Sequence, residues 1–147
     1  KHIYILEKIS LQNLFAIMAG GMLGSKWGLV SQLIYIFLGA VGLPIFAGGL
    51  SGPGVIIGPS GGYILGFLAA GYIAGFGENK FIKKLLIYSL SFMIIYILGI
   101  IGLIINTGIA FKEAFISGVF PFIPGDIFKL IIAVFLTQKL TNYNIQK

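Results

Sequence analysis

Apolar residues fill this chain in long blocks, and the breaks between blocks mark the elements more clearly than any alternation inside them. Between Lys26 and Glu78 lie 51 residues without Asp, Glu, Lys or Arg, and between Lys84 and Lys112 another 27. A helical bilayer crossing takes about 20 mostly apolar residues, so the first stretch has room for two crossings and the second for one. The pattern predicts five helical segments and no domain boundary. The first runs from Ile9 to Leu23 and is closed by Gly24-Ser25-Lys26; the second runs from Trp27 to Leu43 and is stopped by Pro44. The third opens at Gly61-Gly62 and reaches about Phe76, the fourth spans Leu85 to about Ile105, and the last begins at Asp126 and ends near Leu140. The run IAFKEAFISGVF reads as a lateral helix, and PFIPGD as a turn before the last span.

Composition turns these segments into a membrane protein. Apolar residues make up 58% of the chain, charged residues only 10%, and the mean hydropathy is +1.03, all far from a soluble average. The expected fold class is an all-α integral membrane protein, a compact helical bundle forming a single transmembrane substrate-binding domain over residues 1–147. Having no cysteine, the chain excludes disulfides, thiolate catalysis and cysteine-ligated metals. The net charge of +6 comes from lysines that flank apolar segments, which is an orientation signal and not the basic face that nucleic acid requires. If the segments alternate, Lys26, Lys80, Lys83, Lys84, Lys139 and Lys147 share one side, and that side is cytoplasmic by the positive-inside rule. The opposite, outer side receives Lys1, Lys8 and Lys112, with Glu7, Glu113 and Asp126 as counterbalance.

The outer face also receives the least regular part of the sequence. From Pro44 to Tyr63 there are seven glycines and three of the five prolines, with no charge. Such a segment cannot extend a helix, and the backbone groups it leaves free need protein, ligand or water as partners. Irregular backbone survives at membrane depth only when buried in protein or lining a polar cavity, so this loop is a candidate binding element. The helix that follows carries Gly62, Gly66, Ala70 and Ala74 at every fourth position, beside Gly71 and Gly75. A face of this kind allows close helix packing, either inside the bundle or against a separate membrane subunit.

Asp126 and Lys129 are the charges that carry chemistry. At i and i+3 on the last helix, their side chains project from one face. One reading is structural, with Asp126 capping the helix and Lys129 snorkelling or pairing with it. The other is functional, because ionisable groups within a span are costly and mark substrate or ion sites. An ammonium holds an anionic carboxylate and an ionised carboxylate accepts from N–H donors, so a ligand with an acid tail and an N–H head would suit the pair. Tyr35, Phe46, Tyr63 and Tyr96 are aromatic candidates for pocket walls, or for packing. Enzyme readings fail. Ser60 in GPSGG lacks a base within the spans, Gly52, Gly54 and Gly58 miss nucleotide-loop spacing, and nothing suits a catalytic metal or cofactor.

The runs LPIFAGG, GPSGGYILGFLAA and FPFIPGDIFK, in that order, resemble BioY, the biotin-specific S component of energy-coupling factor transporters, and ISLQNLFAIMAGGMLGSKWG resembles the start of that family's second helix. The resemblance covers nearly the whole chain. It implies a multi-pass protein of the bacterial cell membrane, a six-helix S component that captures biotin from outside and works with a transmembrane T component and two cytoplasmic ATPase subunits. The implied lid lies around Phe46 to Gly62, which makes Phe46, Gly48, Gly49, Ser60, Gly61, Gly62 and Tyr63 candidate binding residues alongside Asp126 and Lys129. Biotin's valerate carboxylate and ureido N–H groups match the acid tail and donor head inferred from the pair. Only eight residues precede Ile9, so five spans of the six are expected, with the first family helix, which helps dock the T component, missing. An S component for another vitamin, and an assembly subunit that binds no ligand, are the alternative readings.

Overall fold

The computed structural model describes residues 14–46, 49–77 and 80–146. Helix α1 spans Leu14–Leu23, α2 Ser25–Ala40, the short α3 Pro53–Ile56, and α4 Gly61–Ala74. Helix α5, Phe81–Thr107, is followed by α6, Phe111–Gly118, a 3-10 turn at Phe120–Phe122, and α7, Ile123–Gln146. The described residues form no strand, only an isolated bridge between Phe46 and Leu50. Two stretches, Phe81–Thr107 and Phe111–Leu140, are long and apolar enough to cross a membrane, while α1 and α4 are shorter apolar helices. Large apolar side chains point outward along several helices, among them Phe37, Leu86, Ile105 and Phe135. Exposure on that scale fits a lipid surround far better than water.

The bundle is organised around α5, which packs against α4, α6 and α7, while α2 closes over the other side of α4. Glycine makes these approaches possible. A Cβ on Gly62 would strike the carbonyl of Leu98, and one on Gly102 would sit 2.8 Å from the Gly62 nitrogen. On the far side of α4, a Cβ on Gly20 or on Gly28 would run into the Gly71 carbonyl, so α1, α2 and α4 meet backbone to backbone. The small-residue face expected on α4 is therefore spent on packing within the bundle, on two sides at once. Buried Phe67, Ile95, Tyr88 and Val134 fill the remaining core.

Several boundaries differ from those read in the sequence, each for a local reason. The first break is Gly24 alone, at φ 93°, and Ser25 and Lys26 already belong to α2. Helix α2 ends at Ala40, before Gly42 at φ 122°, instead of reaching Leu43. Helix α5 is 27 residues long because it takes Lys83 and Lys84 into its first turn, and Lys84 is buried at 2% exposure, not a loop cation. It stops at Gly108, whose left-handed backbone (φ 73°) lets its N–H cap the Ile104 carbonyl. The proposed start of α1 at Ile9 lies outside the described residues.

The Gly62 contact is directly testable. Gly62→Val should lower stability in mild detergent by about 1–3 kcal/mol or more through overpacking against Leu98 and Gly102, whereas Gly54→Val, where a Cβ meets nothing within 4 Å, should stay within about 0.5 kcal/mol of the parent. Equal thermal midpoints for the two variants would show that α4 and α5 are not in backbone contact.

Candidate functional site

Asp126 reaches its position by an unexpected local route. The turn read as PFIPGD is instead a 3-10 turn that runs straight into α7 at Ile123, three residues earlier than the sequence placed it. Pro124 is tolerated there because first-turn N–H groups have no partner inside the helix. Asp126 consequently lies within the first turn and does not cap it, which frees both carboxylate oxygens for other partners. Tyr96, from α5, donates its hydroxyl to Oδ2, and Lys129 Nζ lies 3.4 Å from Oδ1. The carboxylate side chain is 4% exposed and the lysine 17%. A buried carboxylate costs several kcal/mol unless it is paired and hydrogen-bonded, and here each oxygen has one donor.

Beside the carboxylate is a cavity of about 210 Å³, walled by Ser89, Phe92 and Tyr96 of α5 and by Ile123, Ile127 and Leu130 of α7. Ser89 donates to the Leu85 carbonyl at 2.7 Å, which leaves its oxygen able to accept. The walls are otherwise apolar, so the cavity combines an apolar body with a few convergent polar groups, as ligand sites do. A second, larger space of about 380 Å³ lies between α5 and α6, with apolar walls that include Met93, Ile97 and Phe115, and Tyr96 lines this one too.

The glycine loop is built differently. Phe46 is 2% exposed, its ring set against Gly39 and edge-on to Tyr35 at 5.5 Å. Its N–H donates to the Leu50 carbonyl at 3.1 Å, and Gly49, at φ 75°, donates to the Phe46 carbonyl at 3.0 Å, closing a tight turn. Gly52 N–H then ties the loop to the Gly39 carbonyl at the end of α2. Ser60 is partly buried just before α4, and a Cβ on Gly61 would strike the Ile56 carbonyl. Tyr63 is 3% exposed, rests on Gly99, and donates to the Gly118 carbonyl at 2.8 Å, which pins the end of α6. Gly48 lies outside the described residues.

The sequence-predicted residues thus stay apart: Phe46 packs on α2, Gly61 on α3, and Gly62 with Tyr63 and Asp126 lie on neighbouring faces of α5. Gly62 abuts Leu98 and Gly102, while Asp126 meets Tyr96, so these two contacts are separated by roughly 3–9 Å along the helix axis at 1.5 Å per residue. The 210 Å³ cavity itself has no wall from the glycine loop. Sequence reasoning found Tyr96 only as one aromatic among several, and missed Ser89 and Phe92. Their spacing, at i, i+3 and i+7, places all three on one helical face and was the available signal. No group of three His, Cys, Asp or Glu that could hold a metal occurs among the described residues.

The chain is similar to known proteins over most of its length. The family model described as the BioY family matches residues 3–145. A probable biotin transporter BioY of Pyrococcus horikoshii is 44% identical over 132 residues, covering 90% of this chain and 79% of the relative. The biotin transporter BioY of Lactococcus lactis is 36% identical over 146 residues, covering 93% and 77%. Among solved structures, the S-component for biotin from an ECF-type ABC transporter superposes with a TM-score of 0.83 at 33% identity, over 90% of this chain and 74% of that one. That family is one of transporter components and not of enzymes, and with a matching model over nearly its whole length, the all-α membrane chain described here belongs to the BioY family.

Proposed function

We propose that this chain is a membrane-embedded S component that captures biotin at the outer face of a bacterial cell membrane for ATP-driven import, handing it on with a T-component membrane subunit and two cytoplasmic ATPase subunits. The observation that carries this reading is the buried Asp126, held by Tyr96 and Lys129 at the edge of an apolar cavity in a chain of this family. Biotin has a matching pattern: ureido N–H donors for the carboxylate, an apolar ring system for Phe92, Ile123 and Ile127, and an acid tail for the ammonium. Head and tail lie at opposite ends of the ligand, so Lys129 must swing away from Asp126 to hold the valerate. Its flexible stem and partial exposure permit that movement. At about 210 Å³ the cavity is smaller than the roughly 300–1,000 Å³ of typical sites, so it takes the head while the tail lies outside it. The loop that carries Phe46, Gly49, Ser60 and Gly61 is the proposed cover, joined to α4 at Gly62 and Tyr63, which are held in the bundle.

Purified protein should bind biotin in preference to thiamine and riboflavin, and Lys129→Met should weaken biotin by roughly 10- to 150-fold, the loss of one charge-assisted hydrogen bond. Biotin carrying a neutral amide in place of its carboxylate should bind the parent poorly and lose far less in the variant. Comparing two ligands on two proteins separates the lysine–carboxylate pair from general damage at Asp126. Parallel losses for both ligands would remove the carboxylate from Lys129, and preference for another vitamin would overturn the biotin assignment.

Orientation is tested in intact cells. Because the chain has no cysteine, single cysteines give no background. A membrane-impermeant thiol reagent should label Ser51→Cys from outside, and Lys80→Cys only after the membrane is opened. The reverse pattern would place the glycine loop in the cytoplasm and end the case for capture from outside.

A further inference from the structure

The two spaces around Tyr96 differ in kind. Phe92 and Ser89 face the cavity beside Asp126, whereas Met93, Ile97 and Ile101 face the larger groove between α5 and α6, and Tyr96 borders both. Its size explains this: at 100° per residue, position 96 falls on the same arc as 89 and 92, about 60° from 93 at the near edge of the arc holding 93, 97 and 101, and its ring is long enough to border both spaces. The side chain is also fixed at its tip, because the hydroxyl donates to Asp126. Tyr96 is therefore a wall anchored at both ends. The groove behind it is large, at about 380 Å³, and its apolar walls offer no partner to a charge, so a carboxylate would not enter it while an uncharged alkyl tail would.

Resting on the capture reading above, we propose that Tyr96 is the residue that sets ligand length and tail chemistry in this site, its hydroxyl orienting Asp126 and its ring separating the head cavity from the apolar groove. Removing the ring joins the two spaces and converts a site for short, acid-tailed ureido ligands into one that also takes ureido ligands with long neutral tails. The two parts of the role act on different observables. Losing the hydroxyl weakens every ligand that uses the Asp126 carboxylate, whatever its tail. Losing the ring changes the ratio between ligands of different tails.

The test uses the full chain in mild detergent, titrated with biotin and with biotin N-hexylamide. Tyr96→Phe should weaken both ligands by a similar factor, about 10-fold, and leave their ratio at the parent value. Tyr96→Leu should shift that ratio toward the hexylamide by about 10-fold or more, as roughly two buried CH2 groups would. Adding Ile97→Phe to Tyr96→Leu refills the groove and should return the ratio toward the parent. A ratio unchanged in Tyr96→Leu, or shifted equally by Tyr96→Phe, overturns the proposal while biotin binding by the parent leaves the capture reading intact. If the parent binds neither ligand, the capture reading fails and this inference falls with it. Thermal unfolding of each variant identifies any that has not folded, and Tyr96→Phe, which changes no volume in the core, keeps the hydroxyl half decisive in that case.

Discussion

Helices in lipid gain nothing by hiding apolar surface from one another, so contact has to come from close backbone approach, and in this chain α4 supplies it on both sides. Gly62 lies against Leu98 and Gly102, Gly66 against Ile95, and Gly71 and Gly75 against α2. This places α4 where no side chain would fit between it and α5. The consequence reaches the site. With α4 pressed onto one face of α5, Tyr63 can span to Gly118 and fix α6, and the adjacent face of α5 is left for α7 to bring in Asp126. The glycines are thus the condition for the geometry around the carboxylate, although none of them touches it in this structure.

The same helix faces opposite electrostatic problems toward its two ends. On its C-terminal half, Tyr96 gives a buried carboxylate a donor from the neighbouring helix, and Lys129 adds a cation. Near its N-terminus, Lys84 is buried at 2% exposure and its ammonium has no hydrogen-bond partner among the described residues. Between them, Tyr88 donates to Thr137, which in turn donates to the Ala133 carbonyl, so this polar contact across the α5–α7 seam is satisfied. The ladder of pairs from Tyr96–Asp126 to Tyr88–Thr137 also sets the antiparallel register of these two helices.

Much of this was legible in the sequence, and the remainder was not, for two physical reasons. The charge-free run from Leu85 announced α5, the glycine spacing announced the α4 face, and the i, i+3 placement of Asp126 and Lys129 announced their pairing. Each is a local pattern. What could not be read were contacts between distant parts of the chain: Tyr96 with Asp126, 30 residues apart, and Tyr63 with Gly118, 55 apart. Boundary shifts came from backbone preferences that override hydrophobic pattern. Pro124 marks a helix interior poorly and a first turn well, so the same residue that suggested a turn before α7 is what the first turn of α7 accommodates. Charge ordinarily ends a span, which predicts a loop at Lys84, yet α5 continues through it.

Capture as proposed requires Asp126 to exchange one of its two donors for a ligand N–H, and the two are unequal. Tyr96 has a rigid ring on the central helix, bordering a space on each side, and its hydroxyl is aimed at the carboxylate. Lys129 holds its oxygen at 3.4 Å, at the long end for a hydrogen bond, from a flexible stem that keeps some contact with the surroundings. Releasing the lysine breaks a long contact from a flexible side chain, whereas releasing the tyrosine would leave a carboxylate oxygen in an apolar wall without a donor. On that reading the exchange would take place at Oδ1. That assignment gives the three residues separate parts in one event: Tyr96 keeps the acceptor aimed, Asp126 changes partner, and Lys129, once displaced, is free to meet the negative end of the molecule that displaced it.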